Sequence, residues 1–378
     1  MSHVRTDREY RICSRCVMDT SDPEIAFDGN GICNHCREYD RIAERRLFTG
    51  EERQRRLEAL IARIKERGRG KEYDCVIGLS GGVDSSYLAQ KAVELGLRPL
   101  AVHLDNGWNS ELAVGNIERI VKTIGIDLHT HVIDWEEFRD LQLSFLRASV
   151  VDIEMLTDHA IAAAIYRVAA KRRIRFFLSG ANLASESVMP RSWFYANKLD
   201  SRIIRAIWRK HGSGRPLRTF PLLGAWEYAC ILSGRRVEIV PLLDYLPYFK
   251  ETAKQALIRD LGWVDYGGKH YESRFTRFYQ AYILPRKFGV DKRRAHLSSL
   301  IHSGQVTRDQ ALVFMEERLY GPEELREEKE FVAKKFGMSV AEFDRIMTLP
   351  PRDHMEYPNY EQWLHIASRI KRKVLGPL

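Results

Sequence analysis

The chain has 378 residues, 44% hydrophobic and 29% charged, with 60 Lys and Arg against 51 Asp and Glu and a net charge of +9. That length accommodates two or three domains with a real core, and the composition is that of a soluble globular protein. No run reaches the roughly 18–20 apolar residues that cross a bilayer, and the first residues lack the apolar core of a signal peptide. A cytoplasmic protein without membrane insertion is expected. Its positive balance suits an anionic partner: nucleic acid, a nucleotide-linked substrate or an anionic surface.

Residues 1–40 read as a zinc ribbon. Cys13-x2-Cys16 and Cys33-x2-Cys36 are two knuckles separated by sixteen residues. Each knuckle offers two thiolates from a tight turn, and Gly29 and Gly31 sit where the second must bend. Four cysteines leave no open coordination position, so the zinc is structural. A disulfide framework is the alternative, which a cytoplasmic protein of this size does not need. His35, between two ligands, is expected to be exposed.

Residues 41–72 read as one charged helical linker. Ile42, Leu47, Leu57, Leu60, Ile61 and Ile64 form an intermittent apolar face. Its many arginines are read first as a solvated face.

Residues 73–249 alternate strand and helix patterns. Strands are predicted at 75–79, 100–104, 128–133, 176–179 and 237–240, with helices at 86–95, 112–124, 135–149 and 157–172. Such alternation implies an α/β fold with a doubly wound parallel sheet. Ligands of such sheets bind at the carboxyl ends of the strands, near a topological switch point. The loops 80–86, 103–109 and 179–186 lie at those ends. Residues 190–220 form a basic, aromatic insertion whose length suggests a cover over the site. Residues 250–378 read as a helical C-terminal domain, with helices at 250–261, 274–288, 295–303, 307–319, 322–336 and 340–348.

The most informative stretch is Leu79-Ser80-Gly81-Gly82-Val83-Asp84-Ser85-Ser86. An apolar strand ends in a glycine turn, and a helix follows. The turn aims backbone N–H groups and a helix dipole at one spot, which suits phosphate. Ser80, Ser85 and Ser86 add hydroxyl donors, and Asp84 is a candidate ligand for magnesium. No Gly-Lys-Ser/Thr follows, so the loop is not Walker A. It resembles the pyrophosphate loop of the ATP pyrophosphatases, which transfer AMP to a substrate oxygen. In that fold the second strand's end lies along the adenine.

Further site candidates follow from the other strand ends. His103, Asp105 and Asn106 end the second strand. Asp105 either binds ribose or adenine, the favoured role, or caps the next turn. Trp108 is core, lid or stacking face. Ser179, Gly180 and Asn182 can form the far wall of an ATP site. Glu186 is either a magnesium ligand or proton carrier, or simply the acid of a helix's first turn. Asp158 and His159 fit equally with the site or with helix solvation. In the dense polar segment 266–277, Lys269, Arg274 and Arg277 can grip a diphosphate. His270 can orient an attacking amine. A surface basic helix is the alternative.

Together these residues resemble the bacterial N-acetyl sugar amidotransferases, pyrophosphate-loop enzymes of surface-polysaccharide and nonulosonic-acid biosynthesis. The resemblance spans nearly the whole chain. It is carried by residues 13–23, the second knuckle, 78–86, 103–109, 179–186 and 266–280. It implies the adenine-nucleotide α-hydrolase fold and ATP-dependent amidine formation on a UDP-linked diacetamido sugar, as in lipopolysaccharide O-antigen synthesis. ATP, magnesium and zinc are the implied cofactors. The catalytic residues implied are Asp84, Glu186, Lys269 and His270. No glutaminase nucleophile is recognisable: Ser2 follows Met1, and Cys230 lies in Tyr-Ala-Cys-Ile-Leu. A separate glutaminase subunit is therefore expected, with a cyclase-like conduit subunit as a further candidate partner. The rival reading is a tRNA sulfurtransferase. It needs sulfur-carrying cysteines, and only Cys75 and Cys230 remain; the favoured reading has no nucleic-acid partner.

Overall fold

The computed structural model describes residues 8–232, 237–267 and 271–362. Five parallel strands form one sheet in the order β3-β2-β1-β4-β5: β1 Cys75–Gly78, β2 Pro99–Asp105, β3 Asp127–Val132, β4 Phe176–Ser179 and β5 Glu238–Pro241. The doubly wound parallel sheet expected from the sequence is therefore present. The chain leaves β1 toward β2 and β3, then returns to place β4 on the other side of β1. The switch point thus lies between β1 and β4.

Burial explains the strand sequences. Cys75, Val76 and Ile77 of β1 are closed on both faces, as a central parallel strand requires. Edge strand β3 is polar and mostly exposed. One face is covered by α2 (Gly50–Gly68), α3 (Val83–Glu94), α4 (Glu111–Ile124) and α10 (Lys250–Leu261), through Ile64, Leu88, Ile120 and Leu257. The other face takes α6 (Met155–Lys171), whose Ala164, Ile165 and Val168 meet Val76, Leu100 and Val102.

The charged segment before the sheet is two helices rather than one. Helix α1 (Asn34–Arg46) starts inside the second knuckle, and Leu47 ends it in extended conformation. Thr49 is extended and Gly50 stands at φ +57°, so the chain turns before α2 begins.

Of the remaining helices, α8 (Ser201–His211) belongs to the insertion, α9 (Ala225–Leu232) follows it, and α7 (Leu183–Glu186) carries the far wall of the site. The insertion does not cover the site. Trp193, Tyr195, Ile203 and Ile207 are buried in the core cluster shared with α5 (Trp135–Ala148). His159, at Nδ1 and Nε2, ties α6 to Lys198 and Leu223 backbone groups at 2.9 and 3.1 Å, so it is structural. Asp158 reaches Lys198 at 3.1 Å.

Among the described residues the C-terminal region is helical, as expected. α11 (Arg274–Phe278) continues as a π-helical stretch, Tyr279–Phe288. Pro285 lies inside it and has no N–H for the ladder. Then come α12 (Lys292–His302), α13 (Arg308–Glu316), α14 (Pro322–Phe336) and α15 (Val340–Thr348). No helix among the described residues is long and apolar enough to cross a membrane.

Candidate active site

The pyrophosphate loop is held by its own residues. Ser85 Oγ accepts from Ser80 N at 3.2 Å and lies 3.1 Å from Ser80 Oγ; Ser80 Oγ accepts from Gly82 N at 3.2 Å. Gly81 has φ +82°, and a Cβ there would stand 2.6 Å from the Ala113 carbonyl oxygen. Only glycine fits. Its own carbonyl accepts from Trp263 Nε1 at 2.9 Å. Helix α3 begins at Val83, three residues earlier than predicted. Asp84 and Ser85 thus stand in its first turn, where the dipole favours a carboxylate. Ser86 does not share the site: it is fully buried, and its Oγ has no partner among the described residues.

Two cavities flank this loop. The larger, about 650 Å³, is bounded by the loop, Gly180, Glu186, Tyr266 and the first turn of α10. The second, about 320 Å³, is a slot at the ends of β1, β2 and β4 against α6. Ser80, Gly180 and Glu272 border both. The structure therefore brings together Leu79, Ser80, Gly82, Asp84, Ser85, His103, Asn106, Gly180 and Glu186 around one loop.

Asp84 Oδ1 accepts a short hydrogen bond from Tyr248 Oη. Burial first, and then the Asp84 carboxylate, push the Tyr248 phenol well up, so it stays a donor. Asn182 Nδ2 lies 3.5 Å from Asp84, and its Oδ1 caps α7 by accepting from Ser185 N at 2.8 Å. Ser179 Oγ accepts from Ala181 N at 3.2 Å. On the slot side His103 Nδ1 lies 2.9 Å from the Leu79 carbonyl oxygen, and Nε2 lies 3.1 Å from Asn109 Nδ2. Burial lowers the His103 pKa. A neutral ring with its proton on Nδ1 satisfies both contacts.

Four sequence expectations change. Asp105 Oδ1 accepts from Gly107 N at 2.9 Å, so it caps the turn and borders neither cavity. Arg274 forms a fork with Glu328 of α14 at 2.9–3.0 Å and stacks on Phe331. Arg277 bonds Glu324 one turn earlier and stands over Tyr271 and Tyr320. Both arginines join helices to each other, and neither borders either cavity. His35 is shielded, 15% exposed, with Nε2 2.7 Å from Asp22. Trp108, left open by sequence, is core: Nε1 donates to Gln142 at 2.6 Å. Lys269 and His270 lie outside the described residues.

The residues that sequence reasoning missed are Tyr248, Trp263, Glu272 and Glu154. Tyr248 follows β5, a strand end where ligands of parallel sheets gather; that was the available signal. Glu272 arrives because residues 272–274 lie across the end of β2. Asn109 and Ser273 form an antiparallel bridge, and Arg274 N donates to the Trp108 carbonyl at 3.0 Å.

The four cysteines form a metal-ligand cluster, with all Sγ atoms within 4.8 Å of one another. Pairs stand 3.6–3.7 Å apart, matching the ~3.8 Å edge of a tetrahedron with Zn–S bonds of about 2.3 Å. Backbone N–H groups of Cys33, Arg15 and Cys16 point at Cys13 Sγ at 3.3–3.5 Å, and that of Met18 at Cys16 Sγ at 3.5 Å. These residues fit zinc. His302 Nε2 lies 3.2 Å from Cys36 Sγ, and Arg308 donates to the Cys13 and Cys16 carbonyls. The ribbon is thereby fixed to α12 and α13. For magnesium, Asp84 and Glu186 are two of the carboxylates that line the larger cavity beside the loop, with Glu272, Glu251 and Asp265 further along it. Two such groups suit an ion held otherwise by phosphate and water.

Sheet order, switch point and loop sequence define an α/β protein with a doubly wound parallel sheet and a glycine loop at its switch point. Residues 272–371 match the family model described as the C-terminal domain of WbpG-like LPS biosynthesis proteins. The chain thus carries a WbpG-like C-terminal domain, in keeping with the resemblance drawn from its motifs. No curated protein matches it. Similar solved structures include an NH3-dependent NAD synthetase from Campylobacter jejuni, at 16% identity and a TM-score of 0.29, covering 42% of this chain and 72% of the other. An NMN synthetase from Francisella tularensis has 16% identity and a TM-score of 0.29, covering 61% and 93%. A predicted subunit of tRNA methyltransferase from Methanocaldococcus jannaschii has 15% identity and a TM-score of 0.27, covering 48% and 72%.

Proposed function

We propose that this chain is the synthase subunit of an ATP-dependent amidotransferase. It converts an N-acetyl group of a UDP-linked diacetamido sugar to an acetamidino group, in the synthesis of lipopolysaccharide O-antigen or a related surface glycan. The observation that carries this reading is the meeting of two cavities at Ser80, Gly180 and Glu272, beside a pyrophosphate loop at the sheet's switch point. The slot at the strand ends suits the adenosine. The loop suits the phosphates. The larger cavity has room for the leaving diphosphate and the acceptor.

An amide oxygen is a poor leaving group. In this scheme it attacks the α-phosphorus of ATP and pyrophosphate departs. Ammonia then adds to the imidate carbon, and AMP leaves with the former amide oxygen. Loop N–H groups hold the phosphates in line, and Asn182 and Tyr248 orient Asp84. Asp84 and Glu186 would hold magnesium, which neutralises charge on the departing diphosphate. The WbpG-like match supports the surface-glycan setting.

A sulfurtransferase would need a reactive thiol here. Cys75 is fully buried in β1, where burial pushes its thiol far up, and Cys230 borders neither cavity. The decisive test is mass spectrometry of UDP-diacetamido sugars incubated with the protein, ATP, magnesium and ammonium. Replacement of O by NH lowers the sugar's mass by about one dalton, while AMP and pyrophosphate accumulate together. Asp84→Asn should stop both. Release of ADP and phosphate by the wild type would refute the scheme.

A further inference from the structure

A third cavity adjoins the larger one. This chamber, about 400 Å³, shares Lys250, Leu300 and Val306 with it. The slot shares a different set, Ser80, Gly180 and Glu272, and has no lining residue in common with the chamber. The three spaces therefore follow one another as slot, loop cavity and chamber. Lys250 opens α10 and stands at the junction of the last two.

The chamber's walls come mainly from the helical C-terminal region. Leu297 and Leu300 stand on α12, Phe314 on α13, and Tyr271 just before the 272–274 segment. Phe314 keeps 45% of its surface exposed there. The wall around it is fixed by Arg293, which donates to the Phe314 and Glu317 carbonyls at 3.3 and 2.7 Å. Arg293 is itself neutralised by Asp291 at 2.7 Å. Arg318 differs. It is exposed, it borders the chamber, and it has neither a hydrogen bond nor an ion pair among the described residues. Lys250, Arg293 and Arg318 stand against one acid on the lining, Glu317. An apolar and aromatic space with an uncommitted guanidinium suits a flat heterocycle that carries phosphate.

We propose that the chamber binds the nucleoside diphosphate end of the acceptor, with the base against α12 and α13 and the diphosphate met by Lys250 and Arg318. The inference rests on the reading that the loop cavity joins ATP to a nucleotide-linked sugar. In that reading the N-acetyl group must reach the α-phosphate at the loop, so the sugar lies in the larger cavity. The diphosphate of such an acceptor lies between its sugar and its nucleoside. It therefore falls at the junction, and the nucleoside falls beyond it. The chamber borders the larger cavity through the start of α10 and residues 300 and 306, away from the loop and the slot. Leu297, Leu300, Phe314 and Arg318 all belong to the stretch that matches the WbpG-like domain. Because slot and chamber are separate, two nucleotides bind at once without competing.

The test is calorimetric titration of UDP and of uridine into the full-length zinc-loaded protein. Each titration is run with and without saturating magnesium and α,β-methylene-ATP, which resists cleavage between its α and β phosphorus atoms. Wild type, Leu297→Trp and Arg318→Ala are compared, with zinc content and circular dichroism checking the fold. Both substituted residues border the chamber and neither borders the slot or the loop cavity. Wild type should bind UDP equally well with the ATP analogue in place. Leu297→Trp fills the chamber and should remove UDP binding while the analogue still binds. Arg318→Ala should weaken UDP about tenfold and leave uridine binding unchanged. Wild-type UDP affinity in either variant would overturn the inference while leaving the ATP reading intact. So would displacement of the analogue by UDP, or a wild type that binds the analogue but not UDP. Failure of wild type to bind the analogue would remove the ATP reading, and UDP titration of Leu297→Trp would still decide whether the chamber takes a nucleotide.

Discussion

Tyr248 donates its hydroxyl proton to Asp84 across 164 residues of sequence. The tyrosine follows β5, and the aspartate sits in the first turn of α3 after β1. The contact joins the two sides of the switch point. In the proposed scheme Asp84 presents a fixed oxygen to magnesium, and a buried phenol held as a donor fixes it. Tyr248→Phe should therefore raise the magnesium concentration for half-maximal ATP cleavage. It should lower kcat/KM roughly tenfold, about 1.4 kcal/mol. A rate equal to or above wild type would mean that the phenol competes with the metal for Asp84.

Gly81→Ala probes the loop itself. The added methyl would meet backbone, not a flexible side chain, at a residue with φ +82°. The loop must move to admit it. A shift near 1 Å in a positioning element costs about a hundredfold in rate. The expected outcome is a folded protein that retains zinc but has lost about that much ATP cleavage. Near-wild-type turnover would show that the loop does not position phosphate.

Arg274→Ala separates architecture from chemistry. The guanidinium forks onto Glu328 and lies 3.4 Å from the Phe331 ring centroid. Its loss should lower the melting temperature by a few degrees, with KM for ATP within about twofold of wild type. A large rise in KM with an unchanged melting temperature would return Arg274 to the ligand site.

The strands and the loop were legible because both are local. Period, glycine turns and apolar runs fix them within ten residues. The helices at 250–261, 322–336 and 340–348 were read to the residue for the same reason. Arg274 and Arg277 were misread because their partners are Glu328 and Glu324, about fifty residues away. Only the packing of α11 on α14 reveals the match, at spacings of three and four residues on facing helices. Asp105 was misassigned for the opposite reason. A turn cap two residues ahead is the more local option, and the Gly107 N–H takes it. Glu154 carried no local signal, being an ordinary acid until α6 meets the ends of the strands, and Glu272 was passed over inside the polar segment 266–277 in favour of its basic neighbours.

Cys13, Cys16, Cys33 and Cys36 should hold one zinc per chain. Sγ spacing of 3.6–3.7 Å leaves no room for a fifth ligand between them. Metal binding here is folding energy. Removing zinc with a chelator should loosen the ribbon and its seat on α12, where Arg294 donates to the Val17 carbonyl at 2.8 Å. Cys13→Ser should therefore reduce folded yield and melting temperature more than it changes ATP affinity. A metal-free protein with wild-type stability would refute the zinc assignment.

The nitrogen source is the last test, and it is the one that decides whether the protein works with a separate glutaminase. Neither cysteine outside the ribbon has the setting of a glutaminase nucleophile. Cys75 is sealed in β1, and Cys230 lies in α9, bordering neither cavity. Supplied alone, the chain should use ammonium at high concentration and leave glutamine untouched. Ammonia is small and neutral, so it can reach the imidate through the open larger cavity. Addition of the cognate glutaminase should bring glutamine use without lowering the KM for ATP. Efficient glutamine-dependent turnover by the isolated chain would reveal a glutaminase site within it. Turnover that needs the glutaminase even when ammonium is saturating would mean that the partner also rearranges the synthase. The 272–274 segment is the natural place to look for that change, because it borders both cavities through Glu272 and belongs to the WbpG-like domain. Hydrogen exchange at Ser110, whose N–H donates to the Glu272 carbonyl at 2.9 Å, would slow on partner binding in that case and stay unchanged if the partner only delivers ammonia.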